Sequence, residues 1–117
     1  MISIFDKCKS LKGLNLSTFN TEKVENMSFM FYACSSLEKL NLSRFNFTSV
    51  ESVSEMFNRC SALKAFVAPQ QLSYGKGDDV DFSDVFKSCD NLKLNGNSNI
   101  GAISTFDEFI SVLKNNS

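Results

Sequence analysis

The 117-residue chain has no histidine and no tryptophan, and only one proline. Without His it lacks the commonest general base and a common zinc ligand, which removes His-dependent nucleophile–base pairs. Neither sign of charge dominates: 12 Lys plus Arg stand against 13 Asp plus Glu, a net charge of −1. That balance leaves no electrostatic footprint for duplex nucleic acid or an anionic membrane. Long apolar runs are missing as well. A stretch such as "FMFYAC" (29–34) falls far short of the roughly 20 residues that span a bilayer. The opening "MISIFDKCKS" has neither a basic n-region nor a long apolar h-region, so it does not read as a signal peptide. There is no G-x-S-x-G and no P-loop; "YGKGDD" (74–79) has too few glycines, in the wrong order, to cradle a phosphate. Nothing here assembles into a catalytic set, and the sequence reads as non-enzymatic.

What is present is 43% apolar residues, 12 Phe and four Cys. The cysteines stand at 8, 34, 60 and 89, at intervals of 26, 26 and 29 residues. Phe5, Phe31, Phe57 and Phe86 each precede a Cys by three; Leu11, Leu37, Leu63 and Leu92 each follow one by three. "LKGLNLSTFN" (11–20) lies over "LEKLNLSRFN" (37–46) with seven identities in ten. "LKAFVAPQQL" (63–72) is a worn third copy, and "LKLNGNSNIG" (92–101) starts a fourth and breaks off. The three extra residues of the last interval fall in a glycine-bearing stretch, read as a loop insertion near 67–78.

A unit of this length cannot bury its own apolar face and must stack on its neighbours. Within a unit, the L-x-L of Leu14 and Leu16 alternates like a short strand. Val24, Met27, Met30, Phe31 and Cys34 are spaced three, three, one and three, which predicts one face of a short helix. Thr48 and Glu51 fit a capping box near the start of such a helix. The expected fold is therefore α/β: a short leucine-rich-repeat solenoid with one short strand and one short helix per unit. Residues 1–95 would hold about three and a half units of period 26. Residues 96–117 would form a loop and a C-terminal capping helix, with Phe106, Phe109, Ile110 and Leu113 on one face and Thr105-x-x-Glu108 as its capping box.

The segment "NMSFMFYACSSLEKLNLSRFNFT" (26–48), with "IFDKCKSLKGLNLSTFNT" (4–21) and "MFNRCSALKAF" (56–66), resembles the BspA-like leucine-rich repeats of bacterial and protist surface proteins. The third and fourth units depart from that pattern: Phe66 and Ala68 take leucine places, and Pro69 follows. The resemblance implies a surface-exposed or secreted protein that adheres to or recognises a host or other partner.

The cysteines have two readings. No two are close in sequence, and paired motifs such as C-x-x-C are absent, so a metal site is not expected. Equivalent places in successive units predict a buried column of small apolar residues. Disulfides between neighbours stay open, with free thiols the expectation. Asp79-x-Asp81 in "GDDVDFSD" (77–84) lacks the glycine and closing glutamate of a calcium loop and reads as a solvated segment leading into a helix. N-x-[ST] triplets start at Asn15, Asn26, Asn41, Asn46 and Asn115 and read as incidental to an Asn- and Ser-rich composition.

In L-N-L the leucines point inward and the asparagine outward. This lines up Gly13, Asn15 and Ser17, then Lys39, Asn41 and Ser43, then Ala65 and Val67, with Lys93 continuing the row. That face has two readings, an Asn ladder bonded neighbour to neighbour or a surface for a protein partner. The leading reading is a non-enzymatic protein-interaction module with no cofactor and no metal. The alternative is a structural spacer or self-assembly unit. Residue 1 falls in mid-unit, so the chain reads as the tail of a longer array, or as a homo-oligomer formed through an uncapped N-terminal end.

Overall fold

The computed structural model describes residues 16, 19–70, 79–92, 103 and 105–116. Two short strands form: β1 (Lys39–Asn41), on the L-x-L alternation, and β2 (Ala65–Val67), in the worn copy. They pair in parallel with Lys39 opposite Ala65, Leu40 opposite Phe66 and Asn41 opposite Val67, an offset equal to the sequence period. Leu40 and Phe66 turn inward and are buried, while their neighbours face out. Phe66 thus serves as well as leucine at this place, and the worn copy keeps its register.

The expected leucine-rich-repeat solenoid, with a helix in every unit, is not what forms. Among the described residues the regular elements are two three-residue strands and one helix. The sheet is two-stranded and open, in a body of 32 × 31 × 21 Å. The stretches expected to be helical, 27–34 and its recurrences 53–60 and 82–89, are runs of tight turns.

The hydrogen bonds give the reason. Met30, Tyr32 and Cys34 donate their N–H groups three residues back, to Met27, Phe29 and Phe31. The intervening N–H groups of Met27, Phe29, Phe31 and Ala33 leave the segment altogether. They donate to the carbonyls of Ser52, Ser54, Met56 and Asn58 at 2.8–3.0 Å. Val53, Glu55, Phe57 and Arg59 repeat this toward Asp81, Ser83, Val85 and Lys87. A helix needs every N–H for its own ladder; here half of them tie one run to the next. Phe29, Ala33, Glu55, Arg59, Asp84 and Ser88 all have φ between 54° and 66°, which breaks any right-handed helix at two places per run. The Thr48–Glu51 capping box fails with it. The Thr48 N–H is taken by the Asn46 side chain (2.8 Å), and the Glu51 N–H by the Glu25 carbonyl.

Burial nevertheless follows the sequence pattern. Met27, Met30, Phe31 and Cys34 are fully buried, as are Met56, Phe57 and Cys60. Val24 is only partly buried against the core. Phe31, Phe57 and Phe86 stack face to face, with ring centroids 5.6 Å apart at each step and planes within 4°. Such pairs contribute about 0.5–1.5 kcal/mol each beyond the area they bury. Thr21, buried despite its hydroxyl, accepts from the Asn46 N–H (2.7 Å) and donates to the Asn46 carbonyl (3.0 Å). One side chain there replaces a step of backbone pairing.

Helix α1 (Phe106–Asn115) lies where its pattern predicts. Thr105 caps it, accepting from the Glu108 N–H at 3.2 Å, and the two side chains meet at 3.1 Å. Asp107 and Glu108 sit in the first turn and Lys114 in the last, the arrangement the helix dipole favours. Phe109 adds a fourth ring to the stack, 5.6 Å from Phe86, and Phe106 packs against Phe47 and Phe82. At the other end of α1 the Asn116 carbonyl accepts the Phe66 N–H (2.7 Å), so the helix ties down β2 as well as covering the rings.

Candidate functional site

The outward side of β1 and β2 is the candidate site. Parallel pairing sets Lys39 beside Ala65 and Asn41 beside Val67 on one face. Lys39 and Asn41 are exposed and Ala65 is half-buried. Val67 is 47% exposed, the one large apolar side chain left in the open among the described residues. A Glu38–Lys64 ion pair of 3.6 Å flanks the strands; both side chains are more than half exposed, so it adds little stability. Ser43 falls after β1. It is half-buried, its N–H donates to the Asn41 Oδ1 (2.9 Å) and its carbonyl accepts from Gln70 (3.1 Å). The structure therefore brings Lys39, Asn41, Ala65 and Val67 together, with Ser43 at their edge. Gly13, Asn15, Ser17 and Lys93 lie outside the described residues.

The Asn41 side chain serves its own turn, and the residue beside it in β2 is Val67, so no Asn ladder crosses this pair. The same local bond recurs throughout. Asn20, Asn26 and Asn46 accept from the N–H two residues on (3.1, 2.8 and 2.8 Å), and so do Ser52 and Asp81. These are Asx-type turns, in which a short side chain replaces a backbone acceptor. They give the N-x-[ST] triplets at Asn26, Asn41 and Asn46 a structural role. The signal was in the sequence, since Asn26 and Ser52 are one period apart. At Asp81, the Ser83 hydroxyl and N–H both bond the carboxylate and hold its pKa below the usual value.

The thiols offer no chemistry at the surface. Cys34, Cys60 and Cys89 are free and buried; Cys8 lies outside the described residues. Cys60 Sγ donates to the Phe31 carbonyl (3.0 Å) and Cys89 Sγ to the Phe57 carbonyl (2.9 Å). Each sulfur thus ties its own run to the run before it. Desolvation pushes both thiols up, Cys89 to about 12. A nucleophilic cysteine needs the opposite shift. Among the described residues no group of three or more Cys, Asp or Glu converges in a way that could hold a metal ion, and no helix is long and apolar enough to cross a membrane.

The strand face presents an apolar spot, a primary amide and an ammonium group side by side on a backbone fixed by pairing. The family model described as "Mycoplasma protein of unknown function, DUF285" matches residues 1–99. No curated protein and no solved structure matches the chain.

Proposed function

The chain belongs to the DUF285 family of Mycoplasma proteins of unknown function, and we propose that it is a non-enzymatic protein-interaction module whose contact surface is the outward face of β1 and β2. The observation that carries this reading is Val67. No other described large apolar residue is exposed, and Val67 stands so beside Asn41 and Lys39. A small apolar centre with a polar surround is the usual make-up of a contact surface. The BspA-like resemblance of residues 26–48 supports a role in surface adhesion or recognition of a host protein. The alternative of a self-assembly unit working through the N-terminal end concerns residues outside the described part.

The test is a variant carrying Asn41→Arg and Val67→Arg. Both side chains face outward; Asn41→Arg also gives up the bond from the Ser43 N–H, so urea unfolding should stay cooperative and lose about 1 kcal/mol. Binding of the labelled chain to immobilised host-surface protein fractions should fall at least tenfold. Full binding by a folded double variant would refute this reading.

A further inference from the structure

The residue that follows α1 does more than end the helix. Asn116 is polar yet buried, a placement that holds only where its groups are bonded. Its N–H donates to the Lys114 carbonyl, and its Nδ2 donates to the Val112 carbonyl at 2.8 Å. Both bonds fasten Asn116 to the last turn of α1. Its own carbonyl turns the other way and accepts the Phe66 N–H at 2.7 Å.

That bond falls on the edge of β2 that β1 does not hold. On the edge facing β1, the Lys64 N–H donates to the Glu38 carbonyl (3.0 Å) and the Val67 carbonyl accepts the Leu42 N–H (2.9 Å). Successive residues of a strand bond to alternate sides, so the Phe66 N–H points away from β1. Phe66 is itself buried, and its N–H therefore needs an acceptor from another element. Asn116 supplies it.

Phe66 stands between Ala65 and Val67, the two β2 residues of the outward face. Its ring rests on Phe57 and Phe86, with centroids 5.3 and 6.4 Å away, and Phe86 stacks on Phe109 of α1. Ring packing is non-directional and draws Phe66 inward; the bond to Asn116 is directional and sets where that edge of β2 sits. The setting matters because β2 is three residues long, and a slip of one would exchange the inward Phe66 for the outward Val67. We propose that Asn116 is a latch through which α1 fixes the contact face: by holding the Phe66 N–H, it keeps Val67 pre-set for a partner. The role in binding rests on the reading of that face as the contact surface. The latch itself rests on the bonds.

The test uses the full isotope-labelled chain with two variants. Asn116→Ala keeps the carbonyl but loses the Nδ2 bond that aims it. Asn116→Ser keeps a donor, since a hydroxyl can bond the carbonyl four residues back, here that of Val112. The Phe66 amide should be protected in the unaltered chain and exchange at least about tenfold faster in Asn116→Ala. The Val67 methyl resonances should shift with it. The Phe57 amide, bonded to Val85, should keep its protection. Binding to the immobilised fractions should fall about fivefold in Asn116→Ala, because a partner must then order the loosened edge. Asn116→Ser should restore the amide, the methyls and the binding. Fast exchange of the Phe66 amide in the unaltered chain would overturn the latch. Equal loss of protection at Phe66 and Phe57 would do the same, since it marks a general loss of stability. Full binding by Asn116→Ala, where the Asn41→Arg and Val67→Arg variant binds weakly, would overturn the latch and leave the contact face standing. Full binding by both would refute the contact face and, with it, the role of Asn116 in binding.

Discussion

Replacing Arg59 separates a turn run from a helix by the sign of one stability change. Arg59 is exposed, has φ of 66°, and its side chain makes no hydrogen bond or ion pair among the described residues. Comparing Arg59→Gly with Arg59→Ala therefore isolates the backbone. Alanine in the left-handed region costs about 1–2 kcal/mol from the clash of its Cβ with the following carbonyl. Glycine avoids that clash, but its freer unfolded chain takes back about 0.4–1 kcal/mol. The glycine variant should thus be more stable than the alanine variant by about 0.5–1 kcal/mol. In a helix the order reverses, with glycine about 1 kcal/mol worse than alanine. The assay is urea unfolding followed by far-ultraviolet circular dichroism. With a slope of about 1.5 kcal/mol/M for a domain of this size, the glycine midpoint should lie roughly 0.5 M above the alanine midpoint. A glycine midpoint below the alanine midpoint would refute the turn assignment.

Other expectations follow from the same contacts. Cys34, Cys60 and Cys89 should resist maleimide at pH 8 in the native chain and react promptly in urea; rapid native labelling of all three would contradict their burial. Stability should be level up to about pH 8 and fall above pH 9. The unfolded thiol titrates near 9.0 whereas folded Cys89 holds its proton to about 12; the folded state therefore binds more protons over that range, and each such thiol subtracts about 1.4 kcal/mol per pH unit. Urea midpoints measured from pH 7 to 10 would show this, and a rise above pH 9 would oppose it. Phe109→Ala removes a fully buried ring from the end of the stack and should cost about 3–5 kcal/mol in urea unfolding, against under 1 kcal/mol for the exposed Lys114→Ala. Thr105→Ala removes the α1 cap and should cost about 1 kcal/mol.

Much of the burial was legible from residue spacing, and much of the backbone was not. The recurrence of Phe three residues before Cys located the ring stack and the sulfur column, because equivalent positions meet equivalent neighbours. The L-x-L alternation located β1; in the worn copy, where Phe66, Ala68 and Pro69 break the pattern and argued against a regular sheet, β2 still pairs in register because Phe66 fills the inward place. The capping box located the start of α1 and the apolar spacing its buried face. The 27–34 run was misread because three-residue spacing suits consecutive tight turns as well as a helix. The usual warning, Gly or Asn at positive φ, is missing: Phe, Ala, Glu, Arg, Asp and Ser occupy those places. Cross-run bonds over-determine the backbone there, and that information is not local to any window of sequence. At the candidate site, Lys39, Asn41, Ala65 and Val67 were legible from alternation alone. The capping duty of Asn41 and the position of Ser43 beyond the strand were not, since both depend on where β1 ends.

The central claim is that side-by-side turn runs, joined N–H to carbonyl, organise this chain in place of helices. The most direct measurement is the backbone φ of Phe29, Ala33, Glu55, Arg59, Asp84 and Ser88, from scalar couplings and carbon chemical shifts in solution. The account predicts positive φ at all six and slow amide exchange at Phe29, Ala33, Glu55 and Arg59. Negative, helical φ at Phe29 and Glu55 would contradict it.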